Sequence, residues 1–216
     1  MEISPEYQNL INAIENGDSQ EGVSEAKKLN DSGHKIEDIF EKAIVPCLQD
    51  IGDRFSRLEL FLPEMMEAAD VVKAIHKEME SRLEAGQKVA SSGKVVIGTV
   101  FGDIHDIGKN IVSSMLEVNG FEVYDLGINV SAQDFVRRAR ETDADIIAMS
   151  SLLTTSIPYM SDVIELLQSN ENDRKRFKVL VGGGPMTPEA AKKIGSDGFG
   201  KDASDAVKQA RALVTK

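Results

Sequence analysis

A histidine and an aspartate stand close together in a short loop that is bounded by glycines. The loop reads Gly102-Asp103-Ile104-His105-Asp106-Ile107-Gly108. It follows the β-branched apolar run 95–100, which predicts a strand, and it precedes a helical pattern at 109–118. The histidine is therefore expected at the carboxyl end of a strand, where open α/β sheets bind ligands. Because a neighbouring carboxylate fixes the tautomer of a histidine and raises its basicity, we expect His105 to be a metal ligand supported by Asp103.

The alternative for a lone histidine in a loop is a surface side chain or a cap of the following helix. Three features argue against this alternative. Asp103 is close enough in sequence to reach the ring, and Gly102 and Gly108 allow another group to approach the backbone. The loop also lies at the ligand-binding edge of the predicted sheet. We therefore expect a bound group beside His105.

Two further loops at the same predicted edge carry groups that suit a ligand. The segment 150–156, after the third predicted strand, has five hydroxyl side chains, whereas an N-cap for the next helix needs one or two. The fourth predicted strand ends in Gly182-Gly183-Gly184, which allows a ligand to lie against the backbone. Taken alone, the first is also explained by helix capping and the second by an ordinary turn. Their coincidence on one edge favours a polar pocket.

Apolar side chains cluster in the first half of the chain, where two helices are predicted to meet. The segment begins at Phe55, and the cluster comprises Phe61, Leu62, Met65 and Met66. Methionine and aromatic residues at helical spacing usually belong to a hydrophobic core. The alternative is that these side chains form an apolar lid over a ligand.

Composition limits the class of protein. The 216 residues are 41% hydrophobic and 28% charged, which is enough for a packed core in one large domain or two small ones. No run of about 18 apolar residues predicts a membrane span, and the first residues lack the features of a secretory signal. The net charge of −11 argues against nucleic-acid binding, and we expect the basic run 174–176 to be a solvated turn. The single cysteine, Cys47, favours a cytoplasmic location.

The periodicity divides the chain into an N-terminal helical bundle, residues 1–91, and an α/β domain, residues 92–216. Within the first part, two longer helices are predicted at 35–57 and 63–84, with Pro63 in the first turn of the second. Pro46 is expected to kink or divide the first of these helices. The small and polar residues at 85–93 predict a linker.

The second part predicts strands that alternate with helices, which is typical of parallel βαβ units. Five such units fit a flavodoxin-like, Rossmann-type parallel sheet with the strand order 2-1-3-4-5. The predicted strands are 94–100, 121–126, 145–150, 177–182 and a weak fifth at 197–200. The predicted helices are 107–119, 131–141, 156–170, 187–194 and 203–214.

Several kinds of site are not supported by the sequence. There is no P-loop, and the glycines around His105 lack the G-x-G-x-x-G spacing of a dinucleotide site. No cluster of cysteines and histidines suggests zinc. A signalling receiver domain of the same fold needs an aspartate at the end of the third strand, where Ala148-Met149-Ser150 stands instead.

The combination of motifs resembles a cobalamin-binding signature. It consists of Asp103-x-His105-x-x-Gly108, then Ser150-x-Leu152, then the triple glycine at 182–184. The helical segment containing Phe55 and Phe61-Leu62-Pro63-Glu64 is similar to the cap of cobalamin-dependent methionine synthase. A cap followed by a binding domain, over nearly the whole chain, resembles the corrinoid protein of three-component methyltransferase systems for methanol, methylamines or betaines.

The resemblance implies a role for each motif. The cofactor would be cobalamin or another corrinoid, cycling between methylcob(III)alamin and cob(I)alamin. His105 would be the lower axial ligand of cobalt, and Asp103 and Ser150 would form a hydrogen-bonded relay behind it. Cofactor contacts are implied for Gly102, Asp103, His105, Asp106, Ile107, Gly108, Ser150, Leu152, Thr154, Gly182, Gly183, Gly184 and Ser204. The residues implied to cover the upper face of the corrinoid are Phe55, Phe61, Leu62 and Met66.

The resemblance also implies a carrier that is not catalytic alone. A substrate-specific methyltransferase would load the methyl group, and an acceptor methyltransferase would pass it to coenzyme M or tetrahydrofolate. A reductive activase would restore oxidised cobalt, and neither nucleic acid nor a membrane is expected as a partner. The sequence leaves two alternatives open, the cobalamin subunit of a radical mutase and a cobalamin-dependent regulator. The cap-like segment argues against the first, and the lack of a recognisable DNA-binding module argues against the second.

Overall fold

The computed structural model describes residues 4–82 and 91–215, and the predicted linker at 85–93 lies mostly outside them. The chain divides into two compact units. One contains the described residues up to Ser91 together with Val118–Gly120, and the other contains Ser92–Glu117 and the residues from Phe121 onward. Within 4–82 and 91–215, no helix is both long and apolar enough to cross a membrane.

The first unit is helical, as predicted, and its core is formed by one apolar face of each helix. Its largest fully buried side chains include Leu10, Ile14, Ile39 and Ile75. Gly22 lets the helix Ser19–Asp31 approach the helix Leu62–Glu80, because a Cβ atom there would lie 2.6 Å from Cγ1 of Val71. The α-helices are α1 (Gln8–Glu15), α2 (Ser19–Asp31), α3 (Ile36–Ile39), α4 (Val45–Ser56) and α5 (Leu62–Glu80), and a 3-10 turn at Pro5–Tyr7 precedes them.

Two helix predictions in this unit need correction. The predicted helix at 35–57 is interrupted by a π-helical turn at Phe40–Ile44, after which α4 begins at Val45. This break comes just before Pro46, which lies in the first turn of α4, where its missing N–H is tolerated. The predicted helix at 63–84 ends earlier, at Glu80.

The second unit is a five-stranded parallel sheet whose strands, numbered along the chain, lie in the order 2-1-3-4-5, so the predicted topology is confirmed. Parallel sheets need helices on both faces, and the central strands are accordingly almost completely apolar and buried. The strands are β1 (Gly93–Thr99), β2 (Phe121–Asp125), β3 (Ile146–Ser150), β4 (Lys178–Gly182) and β5 (Gly198–Gly200). The helices are α6 (Ile107–Val118), α7 (Ala132–Thr142), α8 (Ile157–Gln168), α9 (Glu171–Arg176), α10 (Pro188–Ile194) and α11 (Ala203–Val214).

The basic run at 174–176 is the last turn of α9 and not a separate turn, and Lys175 and Arg176 are exposed to solvent, as expected. Arg174 pairs with Asp197 at 2.9 Å, and Arg176 pairs with Asp143. The side chain of Asn170 caps the start of α9 by accepting from the N–H of Asn172. The basic side chains in the last turn of this short helix thus pair with carboxylates of neighbouring segments, and positive charge at a helix C-terminus is itself favourable.

Candidate functional site

The histidine loop lies between β1 and α6, at the carboxyl edge of the sheet. Its backbone is fixed at both ends, since Asp103 N–H donates to the carbonyl of Val100 at 3.2 Å and Thr99 Oγ1 donates to the carbonyl of His105 at 2.9 Å. Helix α6 begins directly after the loop, at Ile107. A side chain held at this edge is in the position where open α/β sheets bind ligands.

Asp103 is completely buried and binds His105 twice. Its Oδ1 accepts from the backbone N–H of His105 at 3.0 Å and pairs with the ring Nδ1 at 2.7 Å. Its Oδ2 accepts from the N–H groups of Leu152 at 2.7 Å and Leu153 at 3.2 Å. Burial acts to raise the pKa of Asp103, but the hydrogen bonds from His105, Leu152 and Leu153 outweigh it and hold that pKa well below its usual range. Asp103 is therefore an ionised carboxylate.

Two hydroxyl groups complete the surroundings of Asp103. The Oγ atoms of Ser151 and Ser156 each lie 3.2 Å from Asp103 Oδ2 and 2.6 Å from one another. The predicted relay residue was Ser150, and on this point the prediction is wrong. Ser150 is the last residue of β3, and its carbonyl accepts from Val100 N–H at 3.1 Å. The chain leaves the strand after Ser150, so the next side chain along turns towards the carboxylate.

The imidazole of His105 is half-exposed, with 47% of the side chain accessible. Because an ionised carboxylate only accepts, the neutral imidazole has its proton on Nδ1, and Nε2 then has a lone pair for a ligand. In the described ranges 4–82 and 91–215, Nε2 has no hydrogen-bond partner and no group of three metal-binding side chains occurs. A single imidazole of this kind suits a metal whose remaining ligands come from a macrocycle.

The surroundings of the imidazole are apolar and open to solvent. Ile104 is 70% exposed and Ile107 is 77% exposed, and Phe101 and Leu152 are also exposed. A solvent-facing patch of large apolar side chains marks a binding surface. Around a histidine with an available Nε2, such a patch fits a flat, largely apolar group that carries a metal.

The predicted glycines form close contacts and open space beside this patch. A Cβ atom on Gly183 would lie 1.8 Å from the carbonyl oxygen of Ser151, and one on Gly184 would lie 2.8 Å from Leu152 Cδ1. Nothing lies within 4 Å of a Cβ atom built on Gly108. The first two glycines therefore let the loops after β3 and β4 lie against one another, whereas Gly108 borders free space.

The remaining predicted residues are distributed as follows. Thr154 is exposed in the loop after β3, Gly182 is the last residue of β4, and Ser204 lies in the first turn of α11. Asp106 is half-buried and accepts from Asn110 Nδ2 at 3.2 Å.

In the first unit, Phe61 and Met66 are exposed while Phe55 and Leu62 are half-buried. Met65 is fully buried in the helical core, which is the ordinary interpretation of its spacing.

Sequence reasoning missed a cluster on the first turn of α6. The side chain of Lys109 is buried, and its ammonium group pairs with Asp125 and donates to Asn110 Oδ1 at 2.6 Å. Asp125 also accepts from Gly127 N–H at 2.8 Å. Lys109 is visible in the sequence four residues after His105, but its partner Asp125, at the end of β2, could not be identified without the fold.

Comparison with known proteins decides the family. One model of a B12 binding domain matches residues 93–208, and a second model of a B12 binding domain matches residues 6–77. Dimethylamine corrinoid protein 2 of Methanosarcina acetivorans is 42% identical over 207 residues, which cover 96% of this chain and 95% of that protein. The chain belongs to the corrinoid protein family. The resemblance predicted from its motifs is thereby confirmed, and its cofactor is cobalamin or another corrinoid.

Other members of the corrinoid protein family agree with this assignment. Dimethylamine corrinoid protein 3 of Methanosarcina acetivorans is 47% identical over 178 residues, which cover 82% of this chain and 83% of that protein. The methanol:cobalamin methyltransferase complex of Methanosarcina barkeri contains a chain with 25% identity and a TM-score of 0.85. The match covers 97% of the present chain and 80% of that one.

Proposed function

We propose that this chain binds a corrinoid through His105 and is the methyl-carrying component of a methyltransferase system for methylated amines. The observation that carries the proposal is the arrangement of the imidazole: Nδ1 is bound to the buried Asp103, and Nε2 remains for a metal among exposed apolar side chains. When bound, the corrinoid supplies a cobalt that takes up a methyl group and gives it away. The membership of the corrinoid protein family supports this role.

In this proposal the protein controls the lower ligand of cobalt. His105 would bind cobalt through Nε2, and Asp103 would keep the proton on Nδ1 and fix the orientation of the ring. Ser151 and Ser156 would hold the carboxylate in place, the role first expected of Ser150.

The other predicted residues would shape the pocket. Gly108, which borders free space, and the exposed Leu152 would accommodate the macrocycle and its displaced tail, because backbone without a Cβ atom allows close approach. The proposed contacts are Gly102, Asp106, Ile107, Gly108, Ser150, Leu152, Thr154, Gly182, Gly183, Gly184 and Ser204.

A cover for the methyl-bearing face is proposed from the helical unit. Phe55, Phe61, Leu62 and Met66 would exclude water and oxidants from that face. Phe61 is 76% exposed and Met66 is also exposed, so these apolar side chains are available to cover a bound group. The domain boundary between residues 91 and 92 belongs to the same proposal.

The partners follow from the relatives. Close similarity to dimethylamine corrinoid proteins favours dimethylamine as the methyl source, delivered by a dedicated methyltransferase. A second methyltransferase would pass the methyl group to coenzyme M or tetrahydrofolate, and a reductive activase would recover oxidised cobalt. A cytoplasmic location is proposed with these partners.

The proposal is tested by loading the protein with hydroxocobalamin, reducing it anaerobically with titanium(III) citrate, and following its visible spectrum. We expect methylation of cobalt with dimethylamine and a dimethylamine methyltransferase of Methanosarcina acetivorans, and none when that methyltransferase is omitted. Parallel reactions use methanol or monomethylamine with their own methyltransferases. Methylation with methanol or monomethylamine but not with dimethylamine would show that the proposed substrate is wrong. No methylation with any of the three substrates would contradict the carrier function.

A further inference from the structure

Asn129 joins the loop between β2 and α7 to the loop that carries the histidine. Its backbone N–H donates to the carbonyl oxygen of Asp103 at 3.0 Å, and its side-chain Oδ1 accepts from the N–H of Gly102 at 2.8 Å. One exposed residue thus binds the backbone of both Gly102 and Asp103, shortly before His105 in the loop. Nothing in the sequence pattern singles out this residue.

The backbone of Asn129 is held ready for these two bonds. Its φ of +54° lies in the left-handed region, which asparagine tolerates better than most side chains do. On either side of it the chain stays fastened to β1, since Thr99 N–H donates to Gly127 at 2.9 Å and Val130 N–H donates to Thr99 at 3.0 Å. These bonds to β1 therefore hold Asn129 in place beside the loop that carries His105.

The two bonds hold the backbone that carries Asp103. They hold the N–H of Gly102, one residue before Asp103, and the carbonyl of Asp103 itself. The carboxylate of Asp103 in turn accepts from the backbone N–H of His105 and pairs with its Nδ1. The group that holds one ring nitrogen sets the direction in which the other points. In the described part of the chain, the hydrogen bonds of Asn129 go to Gly102 and Asp103 and to no other residue.

We propose that Asn129 is a positioning residue that aligns the Asp103–His105 pair, so that Nε2 meets the cobalt of the bound corrinoid. This inference rests on the proposed function. Asn129 acts through Asp103 and does not touch the cofactor in this role. A purely structural role would stabilise the loop without changing the coordination of cobalt.

The experiment compares three variants with the wild-type chain. Asn129→Gly keeps the left-handed backbone and removes the Oδ1 acceptor, whereas Asn129→Asp keeps an acceptor of the same length. Asp143→Gly is the matched control, because Asp143 has a φ of +56° at the end of α7 and its partner is Arg176. Each protein is loaded with hydroxocobalamin, reduced to the Co(II) form, and examined by electron paramagnetic resonance for a coordinated histidine nitrogen. In the cofactor-free proteins, amide hydrogen exchange is measured at Gly102.

In Asn129→Gly we expect the ratio of histidine-bound to histidine-free cobalt to fall by about tenfold, the lower range for loss of a group that supports a metal ligand. Asn129→Asp is expected to restore most of that ratio, and Asp143→Gly to leave it at the wild-type value. The Gly102 amide should exchange faster in Asn129→Gly alone.

A wild-type ratio in Asn129→Gly would overturn this proposal while the ligand assignment stands. If the wild-type protein itself shows no histidine nitrogen on cobalt, the ligand assignment and the positioning role fail together. Unchanged exchange at Gly102 in Asn129→Gly would show that its side chain does not hold the loop, which also overturns the proposal. Asn129→Ser is the second deletion variant if Asn129→Gly does not fold.

Discussion

Replacement of Gly183 by alanine is expected to destabilise the sheet unit by about 3 kcal/mol or more. Gly183 has a φ of +122°, and a Cβ atom there would lie 1.8 Å from the carbonyl oxygen of Ser151. A non-glycine residue in such a conformation costs about 1–3 kcal/mol, and overpacking adds about 1–3 kcal/mol. Because the contact is with backbone, a change of rotamer cannot relieve it. The loops after β3 and β4 would have to separate.

The measurement is equilibrium denaturant unfolding of the cofactor-free protein. Gly108→Ala is the matched control, because nothing lies within 4 Å of the added Cβ atom and the residue lies in α6. Alanine is favoured over glycine in a helix, so the control should be as stable as the wild type or more stable by about 0.5–1 kcal/mol. Equal unfolding midpoints for Gly183→Ala and the wild type would contradict the close approach of these loops.

In the cofactor-free protein, Asp103→Ala is expected to lower the free energy of unfolding by about 3–4 kcal/mol. The carboxylate accepts from the backbone N–H groups of His105, Leu152 and Leu153, and the hydroxyl oxygens of Ser151 and Ser156 each lie 3.2 Å from its Oδ2. A buried donor left without an acceptor costs about 1–3 kcal/mol, and Asp103→Ala removes the acceptor of three backbone N–H groups. Ser151 and Ser156 can still donate to the carbonyl of Leu153. Asp103→Asn keeps one acceptor but turns an NH₂ group towards other donors, so we expect an intermediate loss of about 2 kcal/mol.

Asp106 provides the control for Asp103. It lies in the same loop but is only half-buried, and its side chain accepts from Asn110 at the start of α6. Asp106→Ala should change the free energy of unfolding by about 0.5 kcal/mol or less, as is usual for surface substitutions. Equal losses for Asp103→Ala and Asp106→Ala in denaturant unfolding would show that the buried network around Asp103 does not stabilise the fold.

The elements that are encoded locally could be predicted from sequence. The apolar runs gave the strands and their order, and the pairing of Asp103 with His105 needed only two residues in one loop. The triple glycine at 182–184 was placed at the correct edge because it directly follows β4. These predictions depend on periodicity and on short separations along the chain, both of which are visible without a structure.

The parts that were missed depend on contacts between distant segments. Whether Ser150 or Ser151 reaches Asp103 is decided by where the chain leaves β3, and a shift of one residue reverses the side-chain direction. Asn129 required knowledge that the loop after β2 passes beside Gly102. The π-helical turn at Phe40–Ile44 likewise has no periodic signature of its own.

The most direct measurement of the central claim is electron paramagnetic resonance of the Co(II) form of the protein loaded with hydroxocobalamin. The protein is prepared with ordinary histidine and with histidine labelled with ¹⁵N in the ring, and cobalt per chain is determined in each sample. If His105 is the lower ligand, we expect near-stoichiometric cobalt and a nitrogen splitting that changes from triplets to doublets on labelling. In His105→Ala that change should disappear, while corrinoid is still retained by the pocket. No retained corrinoid, or a splitting that labelling does not alter, would contradict the account.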